Sequence, residues 1–361
     1  MARVVLVTGV SGYLGTEVAG ILRHEPGIER LVEVTGQDLA GGAARVRRSP
    51  QAPAGGEPQD GSPPPDEEVA RLDVRTGQIG DLIKAVGADT VVHLGLATTP
   101  ARAGGRVSMK ETNVIGTMQL LSACQRSPSV RKLVVRSSSA VYGISPRDPA
   151  MFSEDMEPRA SHGYARDVLD MEGYVRGLVR RRPDLTVSVL RFVNFLGPRV
   201  DSPMTQYFTM PVTPTVLGYD PRIQFVDIGD GVEVIRRMVT EDHHGTFNVT
   251  GRGAMYISQC LRRAGRMPVP LPPQALGALA DLGGFFPDVS RDQRDLLRYG
   301  RVVDGTKLER ELSWTARRST REAFDAFVAD RGLARSPAVA AADRMLAALL
   351  VAVSPAGGAA T

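Results

Sequence analysis

Apolar residues fall along this chain in short unbroken runs, separated by stretches in which they recur every three or four positions. The run from Arg3 to Gly9, RVVLVTG, is β-branched and ends on glycine, the pattern of a parallel strand buried on both faces. Behind it, YLGTEVAGILRHEPG has helical spacing and stops at Pro26-Gly27, and IERLVEVTG reads as a second strand. From 41 to 68, Pro, Gly, Ala and charged residues follow one another without periodicity, which predicts a mobile surface insertion. Alternation resumes with VARLDVR, a helix from Gln78 to Val86 and the strand DTVVHLGLA. A helix around ETNVIGTMQLLSACQ, the strand RKLVVRSSSAVYG, an amphipathic helix starting near Tyr164 and the strand LTVSVLRFVNFLG complete the series. Strands alternating with helices predict an α/β fold built on a doubly wound parallel sheet, with sites at the carboxyl ends of the strands. After Pro198 the pattern loosens into proline-rich loops, a helix from Gly231 to Val239, the strand GTFNVTG and helices around Leu261 and Phe324. That region predicts a smaller C-terminal substrate lobe. The expected division is 1–197 for the nucleotide-binding sheet and 198–332 for the lobe, some of whose segments return to the sheet. Residues 333–361 would be a C-terminal helix and tail.

Composition narrows the field. A 361-residue chain that is 42% hydrophobic can bury a substantial core. Its 44 basic and 40 acidic residues are interspersed, and the net charge of +4 marks out neither a nucleic-acid partner nor a membrane surface. Cys124 and Cys260 are too few for a disulfide framework and lack metal-ligand spacing, so no metal is expected and a reducing, cytoplasmic setting is. The chain opens directly into a strand-like run, without the pattern of a signal peptide. The apolar segment from Val339 to Val353 is interrupted by Asp343 and Arg344 and is too short to span a bilayer, which predicts a terminal helix packed on the body or on a partner.

The first candidate site is TGVSGYLG, which puts Gly9, Gly12 and Gly15, with Tyr13 and Leu14, at the turn from first strand to first helix. Glycines there permit a tight turn, close approach of backbone to a pyrophosphate and packing of helix on sheet, while the helix N-terminus attracts phosphate charge. This is the context of a Rossmann-type dinucleotide site. An acid is expected some 20 positions on to bind ribose hydroxyls; Thr35 and Gly36 stand there, with Asp38 just beyond. Arg45, Arg47 and Arg48 follow in the insertion and could meet a 2′-phosphate. The choice between NAD and NADP stays open, NAD being favoured.

Several further stretches line up with this loop. LDV carries Asp73 and Val74, HLGLA carries Leu94 and Gly95, TNVIGT carries Asn113, and SSSAVYG carries Ser138. RFVNFLGPR, with Asn194, and FVDIGDGVEV follow. From Arg3 to Gly332 the chain resembles the extended short-chain dehydrogenase/reductase family, in its NAD-dependent nucleotide-sugar epimerase/dehydratase branch, whose members include UDP-glucose 4-epimerase-like proteins. The resemblance implies that Asp73, Val74, Leu94, Gly95 and Asn113 flank the cofactor. It implies that Tyr164 exchanges a proton with a substrate hydroxyl, that Ser138 holds the same oxygen, and that two copies pair through helices that include the tyrosine's.

The family pattern is tyrosine, three residues, lysine, and this chain has Val168 in the lysine's place. Without a neighbouring cation a tyrosine has a pKa near 10, so roughly one in a thousand is ionised at pH 7, equivalent to about 4 kcal/mol. Arg166, two residues on, points to another side of the helix. Lys110, one turn before Asn113, is the candidate for a relocated base. For a nucleotide diphosphate the sequence offers Arg222 and Arg294. Three readings follow. The first is an NAD(P)-dependent epimerase/dehydratase with an altered catalytic set, acting on a small molecule such as a nucleotide sugar. The second is a cofactor-binding or regulatory protein without redox chemistry, and the third a reductase or lyase on a small non-nucleotide substrate.

Overall fold

In a computed structural model, residues 3–35, 43–48, 68–71, 77–100, 103–275 and 291–333 are described, 43–48 and 68–71 as backbone only. Strand β1 (Arg3–Thr8) leads into helix α1 (Tyr13–Leu22), and β2 (Ile28–Val34) returns parallel to β1, giving the first βαβ unit. Val5, Leu6 and Val7 are inaccessible to solvent, because helices cover both faces of the sheet at this point.

Over 41–68 the sequence predicts a structureless insertion, and here the structure differs. Ala43–Arg48 forms β3, antiparallel to β2, and Glu68–Arg71 forms β4, antiparallel to β3. A strand added at a sheet edge is held by main-chain hydrogen bonds from its neighbour and needs no apolar alternation of its own, so periodicity does not reveal it. By register Arg45 lies opposite Glu33, Arg47 opposite Leu31 and Arg48 opposite Arg30.

Helix α2 (Gln78–Val86) and strand β5 (Thr90–His93) come next. They precede one long helical segment made of α3 (Arg106–Lys110), a π turn (Glu111–Gly116) and α4 (Thr117–Arg126). Strand β6 (Lys132–Ser138), helix α5 (Gly163–Arg181) and strand β7 (Thr186–Phe192) follow. The apolar run expected as one strand breaks after Val193. Its second part, β8 (Asn194–Leu196), leaves the sheet, and after helix α6 (Pro203–Thr209), β9 (Val212–Val216) and β10 (Arg222–Ile223) it pairs with β11 (Phe225–Asp227). Helix α7 (Ile228–Thr240) then delivers β12 (Gly245–Val249) back beside β7. The main sheet therefore has the order β12-β7-β6-β5-β1-β2-β3-β4, parallel over its first six strands. The remaining elements are β13 (Met255–Tyr256), α8 (Ile257–Arg263), β14 (Met267–Leu271) and the helices Arg291–Tyr299, Thr306–Leu312 and Thr320–Asp330. A second core, in which Leu196, Phe208, Phe225, Leu261, Phe324 and Phe327 meet, lies beyond the carboxyl end of the sheet. The terminal helix expected around 339–353 falls outside the described residues.

Helix α5 is locked to the sheet by a buried polar chain. Ser137 Oγ donates to Glu172 at 2.5 Å, Arg191 grips Glu172 through two bonds of 2.9 and 2.7 Å, and Arg191 reaches Tyr142 Oη at 3.0 Å. Tyr142 in turn donates to Asn248 of β12 at 2.8 Å. Every charge in this chain has a partner, which is the condition under which buried ions are tolerated. The consequence is a fixed position for the first turn of α5, where Tyr164 sits.

Candidate active site

The three loop glycines do different work. Gly9 has φ +78°, and a β-carbon there would lie 2.5 Å from the backbone nitrogen of Gly95; one on Gly15 would lie 2.1 Å from the Gly9 carbonyl oxygen. Both are required by packing of the first turn against itself and against the loop after β5. At Gly12 a β-carbon would meet only the Gly9 oxygen, at 3.6 Å. That face of the loop is open, and Gly12 caps α1 without a side-chain bond to its first N–H groups. An open, uncapped helix N-terminus is suited to a phosphate. Leu14 and Leu94 are buried in the core, Gly95 packs on Gly9, and Tyr13 faces the cleft, its ring edge-on to Phe195 at 5.9 Å. Thr35 directly follows β2. Asp38, Asp73 and Val74 fall outside the described residues. Asn113 is fully buried and clamps the loop after β5: its side-chain oxygen accepts from Ala97 N at 2.8 Å and its amide donates to Ala97 O at 2.9 Å. These two bonds fix the loop after β5.

Tyr13 lines one cleft together with Ser138, Tyr164, Arg136, Asn194, Asp292 and Arg301. Tyr164 and Ser138 line the same cleft, and the Ser138 hydroxyl acts on the Tyr164 phenol, so the pair expected from the sequence faces one space. Ser138 Oγ also accepts from Ala140 N at 3.2 Å. Burial pushes the Tyr164 phenol above its usual range, while Arg136, the Ser138 hydroxyl and Arg301 pull it back. The helix end that carries Tyr164 is held from outside as well. Arg106 donates to both Asp167 carboxylate oxygens, at 2.6 and 2.8 Å, and to Gly163 O at 2.9 Å, while Asp292 accepts from Ala165 N at 3.3 Å. Val168 is fully buried among the core side chains, and Lys110 is exposed on α3, away from the cleft. Lys110 as a relocated base is thereby corrected: its helix turns the ammonium to solvent. Arg166 pairs with Asp170 at 2.9 Å.

The arginines expected for a diphosphate are displaced too. Arg222 is exposed and donates to Ala150 O at 3.0 Å, outside the cleft. Arg294 does not line the cleft, although Asp292, Gln293 and Leu296 of the same helix do, since one turn of helix presents only part of its circumference. The arginines that do line the cleft are Arg136 and Arg301, which sequence reasoning missed. Arg136 had a signal: it is two residues before Ser138 on a strand, hence on the same face. Arg301 and Asp292 had none, being remote in sequence from every motif. Asp292 is raised by burial, and Arg301, also by burial, is lowered to about 10. Burial raises both cysteine thiols, Cys124 to about 12, which removes them as nucleophiles. Among the described residues no three His, Cys, Asp or Glu side chains gather as a metal site, and no helix is long and apolar enough to cross a membrane.

Residues 5–250, more than two thirds of the chain, match the family model described as the NAD dependent epimerase/dehydratase family. The chain belongs to that family. An uncharacterized protein of Mycobacterium tuberculosis is 40% identical over 335 residues, 92% of this chain and 85% of its own length. UDP-glucose 4-epimerase 3 of Oryza sativa is 30% identical over 200 residues, 54% of this chain and 49% of its own. Among solved structures, the Thermus thermophilus UDP-glucose 4-epimerase complexed with NAD superposes with a TM-score of 0.64 at 21% identity, covering 91% of this chain and 99% of that one. The Thermotoga maritima UDP-glucose 4-epimerase with UDP-glucose gives 0.65 at 16% identity, covering 91% and 98%. At these identities the likeness establishes the fold. NAD is the cofactor of the NAD dependent epimerase/dehydratase family, and the open face at Gly12 with the uncapped α1 terminus fits its pyrophosphate.

Proposed function

We propose that the protein is an NAD-dependent epimerase or dehydratase acting on a nucleotide sugar, with Tyr164 and Ser138 at the reacting oxygen. The observation that carries this reading is that Tyr164 and Ser138 line one cleft, which also reaches Tyr13 of the glycine loop. NAD, when bound, supplies the acceptor and donor of hydride. Tyr164 takes the proton of a substrate hydroxyl as the attached carbon is oxidised, and gives it back on reduction. Ser138 holds that same oxygen in line with the phenol. Asn194, on the short strand that leaves the sheet, faces the cleft where the sugar would lie. Arg301 adds a second cation to the cleft, offset by Asp292 and Asp148.

The test incubates the protein and NAD with a panel of UDP- and dTDP-hexoses and follows epimer or keto-sugar formation by NMR. Tyr164→Phe should cut the rate by about 10²- to 10⁴-fold with NAD affinity unchanged. Equal rates in wild type and Tyr164→Phe would overturn the assignment. A second reading, a cofactor-binding protein without turnover, is favoured by one observation: Val168, buried in the core, leaves the tyrosine helix without its cation. NAD binding by calorimetry with no conversion of any sugar in the panel is the outcome it requires.

A further inference from the structure

We propose that Arg136 is the positioning cation of this site, its guanidinium stabilising the Tyr164 phenolate from the sheet side. The inference rests on the reading of Tyr164 as the proton-transfer residue, and it names the group that makes that transfer feasible without a lysine on α5. Arg136 and Ser138 share one face of β6 and line the same cleft as Tyr164, while Ser137 between them turns away to Glu172.

The charged and titratable groups facing Tyr164 are few. Arg136 comes from β6, Tyr13 from the glycine loop, and Arg301 with Asp292 from the C-terminal part of the chain; His162, at the same helix end, is turned to Asp292 at 3.2 Å and Asp295 at 3.6 Å. Of the two arginines, Arg301 faces the carboxylates of Asp292 and Asp148, so its field at the phenol is offset. Arg136 has no carboxylate partner among the described residues. Its neighbour His93 is held neutral, lowered to about 4 by burial and by Arg136 itself, with both ring nitrogens bonded to Thr8 and Thr117 at 2.8 Å. The field of Arg136 therefore reaches the cleft uncancelled.

Its position is also built. Arg136 donates to Tyr13 Oη at 3.1 Å and to Leu94 O at 3.4 Å, and its guanidinium lies over the rings of Tyr13 and Phe195 at 5.6 and 5.8 Å from their centroids. A guanidinium carries five N–H donors, and these two bonds leave three for substrate, cofactor or water. Arg136 thus links the glycine loop, the end of β5 and the proton-transfer pair.

The test is tyrosine ionisation, which needs no substrate. The full-length protein is labelled with ζ-¹³C tyrosine, Tyr164→Phe assigns the resonance, and wild type, Arg136→Met and Arg136→Lys are titrated upward, with circular dichroism marking alkaline unfolding. Arg136→Met should raise the Tyr164 midpoint by about 1 pH unit or more, and Arg136→Lys should restore most of that shift. An unchanged midpoint in Arg136→Met, an Arg136→Lys that behaves as Arg136→Met, or a wild type whose Tyr164 stays neutral until the protein unfolds would each overturn the proposal. A shifted midpoint in a protein that converts no sugar would sink the epimerase reading and leave the cation assignment standing.

Discussion

Restoring a lysine at position 168 should fail, and the structure says by how much. Val168 is fully buried, in the apolar stripe of α5 that continues through Met171, Val175 and Leu178. A lysine placed there loses valine packing and puts an ammonium into a fully buried position, one turn from a Glu172 carboxylate already paired with Arg191. Such a lysine drops its pKa by up to about 3–5 units. Taking a fall of about 4 units from about 10.4, the native state pays about 4–5 kcal/mol at pH 7 to hold the group neutral, a large part of the roughly 5–15 kcal/mol that keeps a domain folded. The sign follows from proton counting. The unfolded chain keeps its lysine proton up to about pH 10.4 while the folded chain releases it earlier, so stability rises with pH across that window and the penalty fades toward pH 10. Urea unfolding of wild type and Val168→Lys at pH 7 and pH 9.5 measures both quantities. A variant as stable as wild type at both values would refute the reasoning, because it would mean that position 168 opens to the cleft and that the lysine stays charged beside Tyr164.

Two other predictions address the loop and a surface cluster. Gly12→Val should fold with an unchanged thermal midpoint yet lose most of its affinity in an NADH fluorescence titration, since its side chain projects into the open face; Gly15→Ala should instead cost about 1–3 kcal/mol in urea unfolding, because its β-carbon meets the Gly9 oxygen. Glu233, held down to about 2 by its bonds to Arg236 and Arg237, should contribute stability that is present above pH 4.5 and lost as pH falls toward 2; the depression corresponds to roughly 3 kcal/mol, and Glu233→Gln should flatten the acid limb of stability measured by circular dichroism.

The βαβ grammar and the glycine loop were legible along the chain, whereas the Tyr164–Ser138 pair came from the family resemblance. Grammar and loop depend on residues close in sequence or on a period of two or 3.6, and such patterns survive without knowledge of neighbours. The serine came from the resemblance, by counting back from Val141-Tyr142-Gly143 in the family motif. Arg136 stands two residues before it on the same strand face, yet an arginine on a strand is ordinarily a surface residue, so no motif pointed to it.

What only the tertiary structure decided was the company these residues keep. Asp292 and Arg301 come to the cleft from about 130 residues beyond Tyr164, through loops and short strands that carry no periodic signal. Strand β3 joined the sheet through main-chain bonds that any sequence can make. The fate of Val168 belongs to both levels. The sequence by itself determined that no lysine stands one turn from Tyr164, since that is a fact of spacing. Whether another cation takes over its field depends on which side chains converge on the phenol and on which of them are already neutralised, and electrostatic energy depends on distance through space and on burial, neither of which a linear order of residues contains.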